Sequence, residues 1–435
     1  MIAFEAGPGV GLEMYRAVEG LYPICRSITG NGVRETLRLI QKQVPLSVHE
    51  VPSGTPVFDW TVPLEWNISD AYVKNSRGER VVDFLKSNLH VMSYSIPVRK
   101  NLSLAELKPH LFSLPDHPDW IPYRTSYYKE NWGFCISHRD LSRFSDDSYE
   151  VCIDSSLSSG SLTYGETFIQ GSSAAEILIS CHICHPSLCN DNLSGIAVAM
   201  WLAKICGSQR RRYSYRFLFI PGTIGSITWL AQNKEEVSRI KHGFVLTGVG
   251  DPGRPTYKRS RRGDAEIDRA MTHTLKHSGR DYRVIDFFPY GYDERQYCSP
   301  GFNLPVGCLM RTPHGEYPEY HTSADDLQFI KAESLEESLR ICLETLSLLE
   351  QNGTYRSTNP FCEPRLGKRG LYRSVGGDTK EPVNELAMLW VLNLSDGTHS
   401  LLDIAERSDL AFDVIWSAAE LLKQHGLLEA EEFPS

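Results

Sequence analysis

The chain has 435 residues, of which 41% are hydrophobic and 23% charged, a composition typical of a folded globular protein and not of a disordered or fibrous one. This length exceeds what one hydrophobic core usually serves, so we expect two or three domains. The 45 basic and 54 acidic residues give a net charge of −9, which argues against broad nucleic-acid or anionic-membrane binding because both need clustered positive charge.

The N-terminal part of the sequence changes from a helical to a strand pattern. Residues 14–42 have helical spacing that is broken by the glycine-containing run 26–32, and the period becomes two between residues 48 and 98. We therefore predict two helices followed by a β-rich inserted domain at residues 51–124. The larger domain around it would comprise residues 1–50 and 125–372.

In the middle of the chain, apolar strand patterns alternate with helical ones. Residues 176–181, 215–220 and 243–247 are apolar runs typical of buried strands, and residues 191–206 are strongly helical. This alternation predicts an α/β fold with a mostly parallel sheet flanked by helices. Sites in such folds form beyond the carboxyl ends of the strands, which is where we look for chemistry.

Residues 379–435 predict a separate small domain resembling a winged helix. Its three helical stretches are 384–392, 401–407 and 411–426. A winged helix suggests DNA binding, but residues 401–435 contain eight acidic residues against only Arg407 and Lys423. Since DNA binding needs phosphate-neutralising charge, we expect no nucleic-acid partner. A packing or dimerisation role, and hence a possible homo-oligomer, is favoured instead.

The cysteine pattern and the chain ends bear on location. Eleven cysteines are spread from Cys25 to Cys362 without a compact disulfide framework. The N-terminal residues lack a secretory signal pattern, and no window approaches the roughly 18 uninterrupted apolar residues of a membrane span. We expect reduced cysteines, a cytoplasmic location and no membrane partner.

The strongest chemical signal lies between residues 181 and 195. His182 stands where a predicted strand ends, and Asp191 stands where the next helix begins, so both side chains would lie at the carboxyl edge of the sheet. Imidazole and carboxylate ligands together suit a cation such as Zn²⁺. A third ligand must come from elsewhere, and the best candidate is His321, which is set among carboxylates and aromatics before a helix.

Other interpretations of this region are possible. Cys181, Cys184, His185 and Cys189 could form half of a structural zinc knuckle, but no second closely spaced cysteine pair is present. A redox-active cysteine pair would not need the polar run 190–192, and a single histidine is more often a buried, hydrogen-bonded residue. The combination of these histidines with residues 190–195 favours the metal site.

Several motifs together resemble a known family. They are Cys25-Arg-Ser-Ile-Thr-Gly30, His182-Ile-Cys-His-Pro186, Asn190-Asp-Asn-Leu-Ser-Gly195, Tyr290-Gly-Tyr-Asp-Glu-Arg-Gln296 and Pro313-His-Gly-Glu-Tyr-Pro-Glu-Tyr-His321. As a set they resemble the zinc aminopeptidase superfamily, which also contains glutaminyl cyclases. The closer resemblance, over nearly the whole chain, is to an aminopeptidase-like branch with an inserted β domain and a C-terminal winged helix.

This resemblance implies a cofactor, its ligands and a substrate class. His182, Asp191 and His321 match the zinc ligands of the superfamily, with His185 as the alternative to His182. Thr247 stands where a further acidic ligand is common, which implies one zinc ion per chain and not two. The implied activity is aminopeptidase-like hydrolysis of an amide in a small peptide or aminoacyl compound.

Gly222 is the most serious departure from the superfamily pattern. The resemblance places a general-base glutamate here, and glycine can neither accept a proton from water nor return it to a leaving amine. Positioned acid/base groups contribute roughly 100- to 10,000-fold to rate, so the loss matters. Our candidates for a replacement catalytic carboxylate are Glu316 and Glu294, with Glu166 and Glu319 as further options.

Three interpretations of Gly222 remain open. Another carboxylate acts as the base, zinc chemistry suffices without one, or the protein has changed to ligand binding, acyl transfer or cyclisation, or has lost activity.

If it hydrolyses amides, we expect Asp293 and Arg295 to hold the substrate's amine and carboxylate unless they form a structural ion pair, and Tyr320 to contact the substrate. The basic run 258–262 is a further candidate for binding a carboxylate or phosphate.

Overall fold

A computed structural model of the chain describes residues 4, 6–371 and 385–431. The chain divides into two compact units. The larger unit comprises residues 6–265 and 283–340, and the smaller one combines residue 4 with the described parts of 266–282 and 341–435.

The helices are numbered in chain order over the described residues. They are α1 (Val10–Leu21), α2 (Asn31–Gln41), α3 (Leu104–Leu107), α4 (His138–Leu141), α5 (Gly195–Cys206), α6 (Ile224–Gln232), α7 (Glu266–His277), α8 (Glu294–Tyr297), α9 (Ala332–Gln351), α10 (Glu385–Leu394), α11 (Leu401–Ser408) and α12 (Phe412–Gln424).

The strands are numbered in the same way. They are β1 (Ser47–Pro52), β2 (Pro56–Val57), β3 (Trp60–Thr61), β4 (Glu65–Lys74), β5 (Arg80–Asp83), β6 (Val98–Leu102), β7 (Leu111–Phe112), β8 (Phe134–Cys135), β9 (Tyr149–Ser158), β10 (Ser161–Ile169), β11 (Glu176–His182), β12 (Ser214–Ile220), β13 (Ile240–Leu246), β14 (Thr256–Lys258), β15 (Arg283–Ile285), β16 (Val306–Met310), β17 (Thr354–Ser357), β18 (Asp396–Ser400) and β19 (Leu428–Ala430).

A mixed sheet of eight strands forms the centre of the larger unit. Its strand order is β1-β10-β12-β11-β13-β16-β14-β15. The four central strands β12, β11, β13 and β16 run parallel, whereas β1, β10 and β14 pair antiparallel with a neighbour. The predicted α/β class with a mostly parallel sheet is therefore confirmed.

The central strands explain where the polar side chains of interest are placed. Every residue of β11 is buried, as expected for a strand covered by helices on both faces of a parallel sheet. β11 ends at His182, β12 ends two residues before Gly222, and β13 ends one residue before Thr247. Because these strands are parallel neighbours, the three residues lie on the same edge of the sheet.

The strand pattern at residues 48–98 corresponds to small additional sheets. The largest is antiparallel, with the order β5-β4-β9-β6. One strand of this sheet, β9, lies outside residues 51–124. The boundaries of the inserted domain at residues 51 and 124 remain a prediction. The buried aromatic side chains Trp66, Tyr94 and Phe134 contribute to the apolar core around these strands.

The smaller unit contains the C-terminal helices and a three-stranded sheet. The helices are α10, α11 and α12, and the sheet has the order β18-β17-β19. Ser400 begins α11 with a capping box, in which its hydroxyl accepts from the backbone of Asp403 and the Asp403 carboxylate accepts from the backbone of Ser400. The predicted first helical residue, Asn384, lies outside the described residues.

Two further expectations concern cysteines and membranes. All eleven cysteines are free thiols. In the part of the chain that the structure describes, no helix has both the length and the apolar character required to cross a membrane.

Gly30, in the predicted loop between α1 and α2, allows a testable comparison. Its φ is +98°, and a Cβ at this position would lie 2.0 Å from the carbonyl oxygen of Trp66. Gly54 has a similar φ of +87°, but its added Cβ would meet nothing within 4 Å. We expect Gly54→Ala to cost about 1 kcal/mol of unfolding free energy from backbone strain alone.

Gly30→Ala should cost at least about 2 kcal/mol more than Gly54→Ala, because the backbone must also move to relieve the overlap. Denaturant unfolding of the two variants measures the difference. Equal losses of stability would show that the contact between Gly30 and Trp66 is not as close as described.

Candidate metal centre and active site

Four potential metal ligands come together at the carboxyl edge of the central sheet. His182 is the last residue of β11, and His185 follows three residues later. Asp191 lies in an irregular segment, Cys189–Ser194, that leads from β11 into α5, and its φ of −109° and ψ of 80° are not helical. His321 comes from the segment between β16 and α9.

The Asp191 carboxylate is the centre of this group. Its Oδ1 lies 2.8 Å from His182 Nε2, and its Oδ2 lies 3.0 Å from His321 Nε2 and 3.9 Å from His185 Nε2. Asp191 and His182 are almost fully buried, whereas the His321 side chain is 34% exposed. The site is therefore open to solvent on the side of His321.

The unpaired atoms and the ligand chemistry fit a metal ion. Ligand atoms of His182, His185 and Asp191 all lie within 4.8 Å of one another. Asp191 Oδ2 and His321 Nε2 are buried and face each other at 3.0 Å, and neither atom has another hydrogen-bond partner. Imidazole nitrogens around one carboxylate suit Zn²⁺ at its usual coordination number of four, which includes a substrate or water position.

The protonation states of two of these groups also suit a metal. Burial on its own raises the pKa of Asp191, but the electrostatic influence of His185 and the hydrogen bonds of His182 and His321 outweigh it and hold that pKa well below the ordinary value. Desolvation lowers the pKa of His185 to about 3. A charged carboxylate beside a neutral imidazole is the form in which both groups bind metals.

The residues on either side of Asp191 fix its position. Asn190 accepts hydrogen bonds from the backbone of Gly250 and donates to Asp251, while Asn192 donates to the carbonyl of Leu246. These bonds tie the segment to the loop after β13. Buried polar side chains such as those of Asn190 and Asn192 are expected to be hydrogen-bonded, as they are here. The Asp191 carboxylate, which lies between them in the sequence, is directed at the histidines.

Asp325 supports the same segment from the other side. Its two carboxylate oxygens accept from the backbone amides of Asn190 and Asp191 at 2.5 and 2.9 Å. Burial raises the pKa of Asp325 well above the ordinary value even though these bonds oppose the shift. Asp325 stands only four residues after His321, but its support of the segment around Asp191 is a long-range contact that no sequence spacing indicates.

Aromatic rings hold the histidines in place. The Tyr292 ring stacks on His182 at 4.5 Å, and Tyr320 stacks on His321 at 3.9 Å. The hydroxyl of Tyr292 donates to that of Tyr320 at 3.0 Å, and Tyr123 contacts His321 edge-on. Tyr320, predicted to contact substrate, therefore borders the site beside a potential ligand.

Gly222 lies next to both His182 and Asp293. A Cβ built on Gly222 would lie 3.0 Å from the Cβ of His182 and 3.5 and 3.6 Å from the two carboxylate oxygens of Asp293. Asp293 is fully buried, and the hydroxyl of Ser226 donates to its Oδ1 at 2.8 Å. Burial raises the pKa of Asp293 to about 6.

Lys258 and Glu294 form a completely buried ion pair beside this loop, with Lys258 Nζ 2.5 Å from Glu294 Oε1. Lys258 also donates to the carbonyl of Tyr290, and Glu294 accepts from the backbone amide of Tyr292. Glu294, one of our candidate catalytic carboxylates, is thus engaged in holding the loop that carries Tyr292 and Asp293.

The remaining candidate residues are placed as follows. Glu316 is 48% exposed and pairs with Arg283 at 2.7 Å. Glu166 pairs with Arg216 in the middle of the sheet, and Glu319 is half-buried two residues before His321. Arg295 is partly buried, and its Nε has no hydrogen-bond partner.

The cysteines and Thr247 limit alternative metal sites. Cys181, Cys184 and Cys189 are buried, and desolvation raises the pKa of each of their thiols. None of them belongs to a potential metal cluster among the described residues, where the one such group is His182, His185 and Asp191. Thr247 is buried at the end of β13 and offers no carboxylate.

This sheet, with a histidine and aspartate cluster at its carboxyl edge, defines an aminopeptidase-like α/β protein. The zinc aminopeptidase of Bacillus subtilis has the same fold, with a TM-score of 0.57 at 13% identity over 79% of this chain and 95% of that one. The predicted superfamily resemblance is thereby confirmed at the level of fold.

The chain belongs to the family described as a domain of unknown function, DUF4910, which matches residues 15–352. Residues 353–430 match a winged helix-turn-helix family, which confirms the predicted C-terminal fold.

Two of the matches come from Clostridium acetobutylicum. One is provisionally named a polysaccharide biosynthesis protein with an aminopeptidase-like domain, and is 56% identical over 419 residues, or 96% of each chain. The other is a crystal structure provisionally described as a peptidase, with a TM-score of 0.93, 54% identity, and coverage of 97% of this chain and 96% of that chain.

Proposed function

We propose that this protein is a zinc-dependent amide hydrolase of the aminopeptidase type, acting on a small peptide or aminoacyl compound. The observation that carries the proposal is the group of His182, His185 and Asp191, whose ligand atoms lie within 4.8 Å of one another, with His321 Nε2 3.0 Å from Asp191 Oδ2. Such groups are brought together against the cost of burying them, which is typical of functional sites.

Zinc would be held by His182, Asp191 and His321, with His185 placed to share in binding. One ion per chain is favoured because Thr247 supplies no further carboxylate. When bound, the metal would polarise the substrate carbonyl and lower the pKa of water.

The chain's own residues supply orientation and substrate binding. Tyr292 and Tyr320 cover the ring faces of His182 and His321, so that these rings are held for a single ligand geometry. The buried, unpaired Nε of Arg295 supports the proposed role of this residue in binding a substrate carboxylate.

The first test is hydrolysis by the purified full-length protein. We expect turnover of members of a panel of aminoacyl amides, dipeptides and N-acylated amino sugars, the last included because of the name of the Clostridium relative. Activity should disappear with a chelator and return with zinc. Asp191→Asn protein prepared in parallel controls for contaminating peptidases, and equal turnover by that variant would contradict the proposal.

Gly222 supports a second candidate, an inactive homologue that binds metal and ligand without turnover. This alternative predicts that wild type is inactive on the entire panel and that Gly222→Glu gains activity. Gly222→Ala, which adds only the Cβ, is the matched control.

The winged-helix region is proposed to pack within its own unit and not to bind nucleic acid. On α7, Arg269 donates to Asp403 and to Glu406 of α11, and Lys276 pairs with Asp409. The positive charges of Arg269 and Lys276 are thus used in contacts with acidic side chains and are not free to bind phosphates.

A further inference from the structure

The carboxylate of Asp293 lies in van der Waals contact with the point where a side chain at position 222 would begin. Both of its oxygens lie within 3.6 Å of the point where a Cβ on Gly222 would be, and that point is 3.0 Å from the Cβ of His182. An acidic group is therefore present beside the metal-binding histidine even though Gly222 itself provides none.

The two oxygens of Asp293 are in different environments. Oδ1 accepts a hydrogen bond from Ser226 at 2.8 Å, which fixes the orientation of the carboxylate. Oδ2 is buried and has no hydrogen-bond partner. A buried, unpaired carboxylate oxygen is costly, so its retention beside a cluster of potential metal ligands points to a chemical role.

The loop that carries Asp293 is firmly attached to the site. The preceding residue, Tyr292, stacks on His182, and the following residue, Glu294, forms the buried pair with Lys258. Asp293 is therefore held on both sides at a fixed position relative to His182, as a proton-transfer group must be.

We propose that Asp293 is the proton-transfer residue of this site, replacing from another loop the glutamate that the superfamily resemblance expects at position 222. This inference rests on the proposed amide hydrolase function. It differs from our expectation that Asp293 binds the substrate amine.

The proposed step conserves atoms and charge. Asp293 Oδ2 takes a proton from a water molecule as the water oxygen forms a bond to the amide carbon. The same oxygen then returns the proton to the amide nitrogen as the carbon–nitrogen bond breaks, which releases an amine and a carboxylic acid. Asp293 ends as a carboxylate, ready for the next cycle.

Two of the other candidate carboxylates are less suited to this step. Glu316 is exposed and paired with Arg283, and Glu294 is committed to Lys258.

Asp293→Asn tests the proposal with the full-length, zinc-loaded protein. The amide of asparagine keeps an oxygen for the Ser226 hydrogen bond but cannot accept the proton. We expect kcat for the best panel substrate to fall about 100-fold or more, with zinc content unchanged. Asp286→Asn, the same substitution at a carboxylate that is 86% exposed, is the matched control and should keep wild-type kcat.

A rescue experiment separates proton transfer from a structural role. Adding Gly222→Glu to Asp293→Asn should raise kcat at least about tenfold above that of Asp293→Asn alone, because it places a carboxylate next to the position of the Asp293 side chain. Gly222→Ala in the same background should recover nothing. If Asp293→Asn does not fold, Ser226→Ala tests the same claim, since a less oriented Asp293 should lower kcat about tenfold.

The outcomes distinguish this inference from the proposed function. If the wild type is active and Asp293→Asn has the same kcat, the role of Asp293 is overturned but the proposed function is not. If Asp293→Asn does not fold, an unchanged kcat in Ser226→Ala leads to the same conclusion. Loss of turnover in Glu319→Gln but not in Asp293→Asn would assign the role to Glu319 instead. A wild type inactive on the whole panel would overturn the proposed function, and this inference with it.

Discussion

Replacing Asp191 by asparagine is expected to weaken zinc binding by more than about 100-fold. Asp191 is the one carboxylate among the four potential ligands, and both of its oxygens face histidines. Changing groups that only support ligands already costs about 10- to 100-fold in metal affinity, so loss of the central anionic ligand should cost more. Zinc titration monitored by calorimetry measures the affinity directly.

The same substitution should remove most of the zinc-dependent stabilisation. At a zinc concentration 100 times the wild-type Kd, binding stabilises the fold by about 2.7 kcal/mol. A variant that binds 100-fold more weakly would gain only about 0.4 kcal/mol under these conditions. Asp154→Asn, at an exposed position in β9, should retain the full increment. Equal zinc-induced shifts in the Asp191→Asn variant and wild type would show that Asp191 is not a ligand.

Lys258→Met is expected to destabilise the larger unit by about 3 to 5 kcal/mol. Lys258 and Glu294 are both completely buried, and removing one partner of such a pair leaves the other charge without compensation. Denaturant unfolding measures the loss. Amide turnover should fall as well, because Glu294 holds the loop that carries Tyr292 and Asp293.

A double variant separates the charge effect from simple loss of packing. Lys258→Met with Glu294→Gln removes both charges and retains an acceptor for the Tyr292 amide, so it should be markedly more stable than Lys258→Met alone. Arg261→Met, at an exposed position three residues later, is the control and should stay within about 0.5 kcal/mol of wild type. A Lys258→Met variant as stable as this control would contradict a structural role for the ion pair.

The fold could be predicted from the sequence because its central elements have clear periodicity. β11, β12 and β13 are continuous apolar runs, and α5 follows a polar segment that begins at a strand end. These patterns locate His182 and Asp191 at one edge of the sheet. The small strands β14 and β15 have only three residues each, too short for a periodic signal, and the sequence did not predict them.

The part of the site that depends on long-range contacts was less predictable. No spacing rule relates Lys258 to Glu294, 36 positions away, so the sequence indicates an anion-binding run at Lys258 and a catalytic candidate at Glu294, but not their ion pair. The approach of Asp293 to Gly222 likewise depends on how two loops pack. Sequence motifs indicate that the loops carrying Gly222 and Asp293 contribute to the site, but they do not indicate which atoms of the two loops lie close together.

The central claim, that His182, Asp191 and His321 hold one zinc ion, is tested most directly by diffraction from crystals of the zinc-loaded protein at wavelengths on either side of the zinc absorption edge. We expect a single anomalous peak, present only above the edge, within about 2.3 Å of a nitrogen of His182, an oxygen of Asp191 and a nitrogen of His321. A peak elsewhere, or no peak at a zinc concentration that saturates binding in solution, would contradict the proposed metal centre.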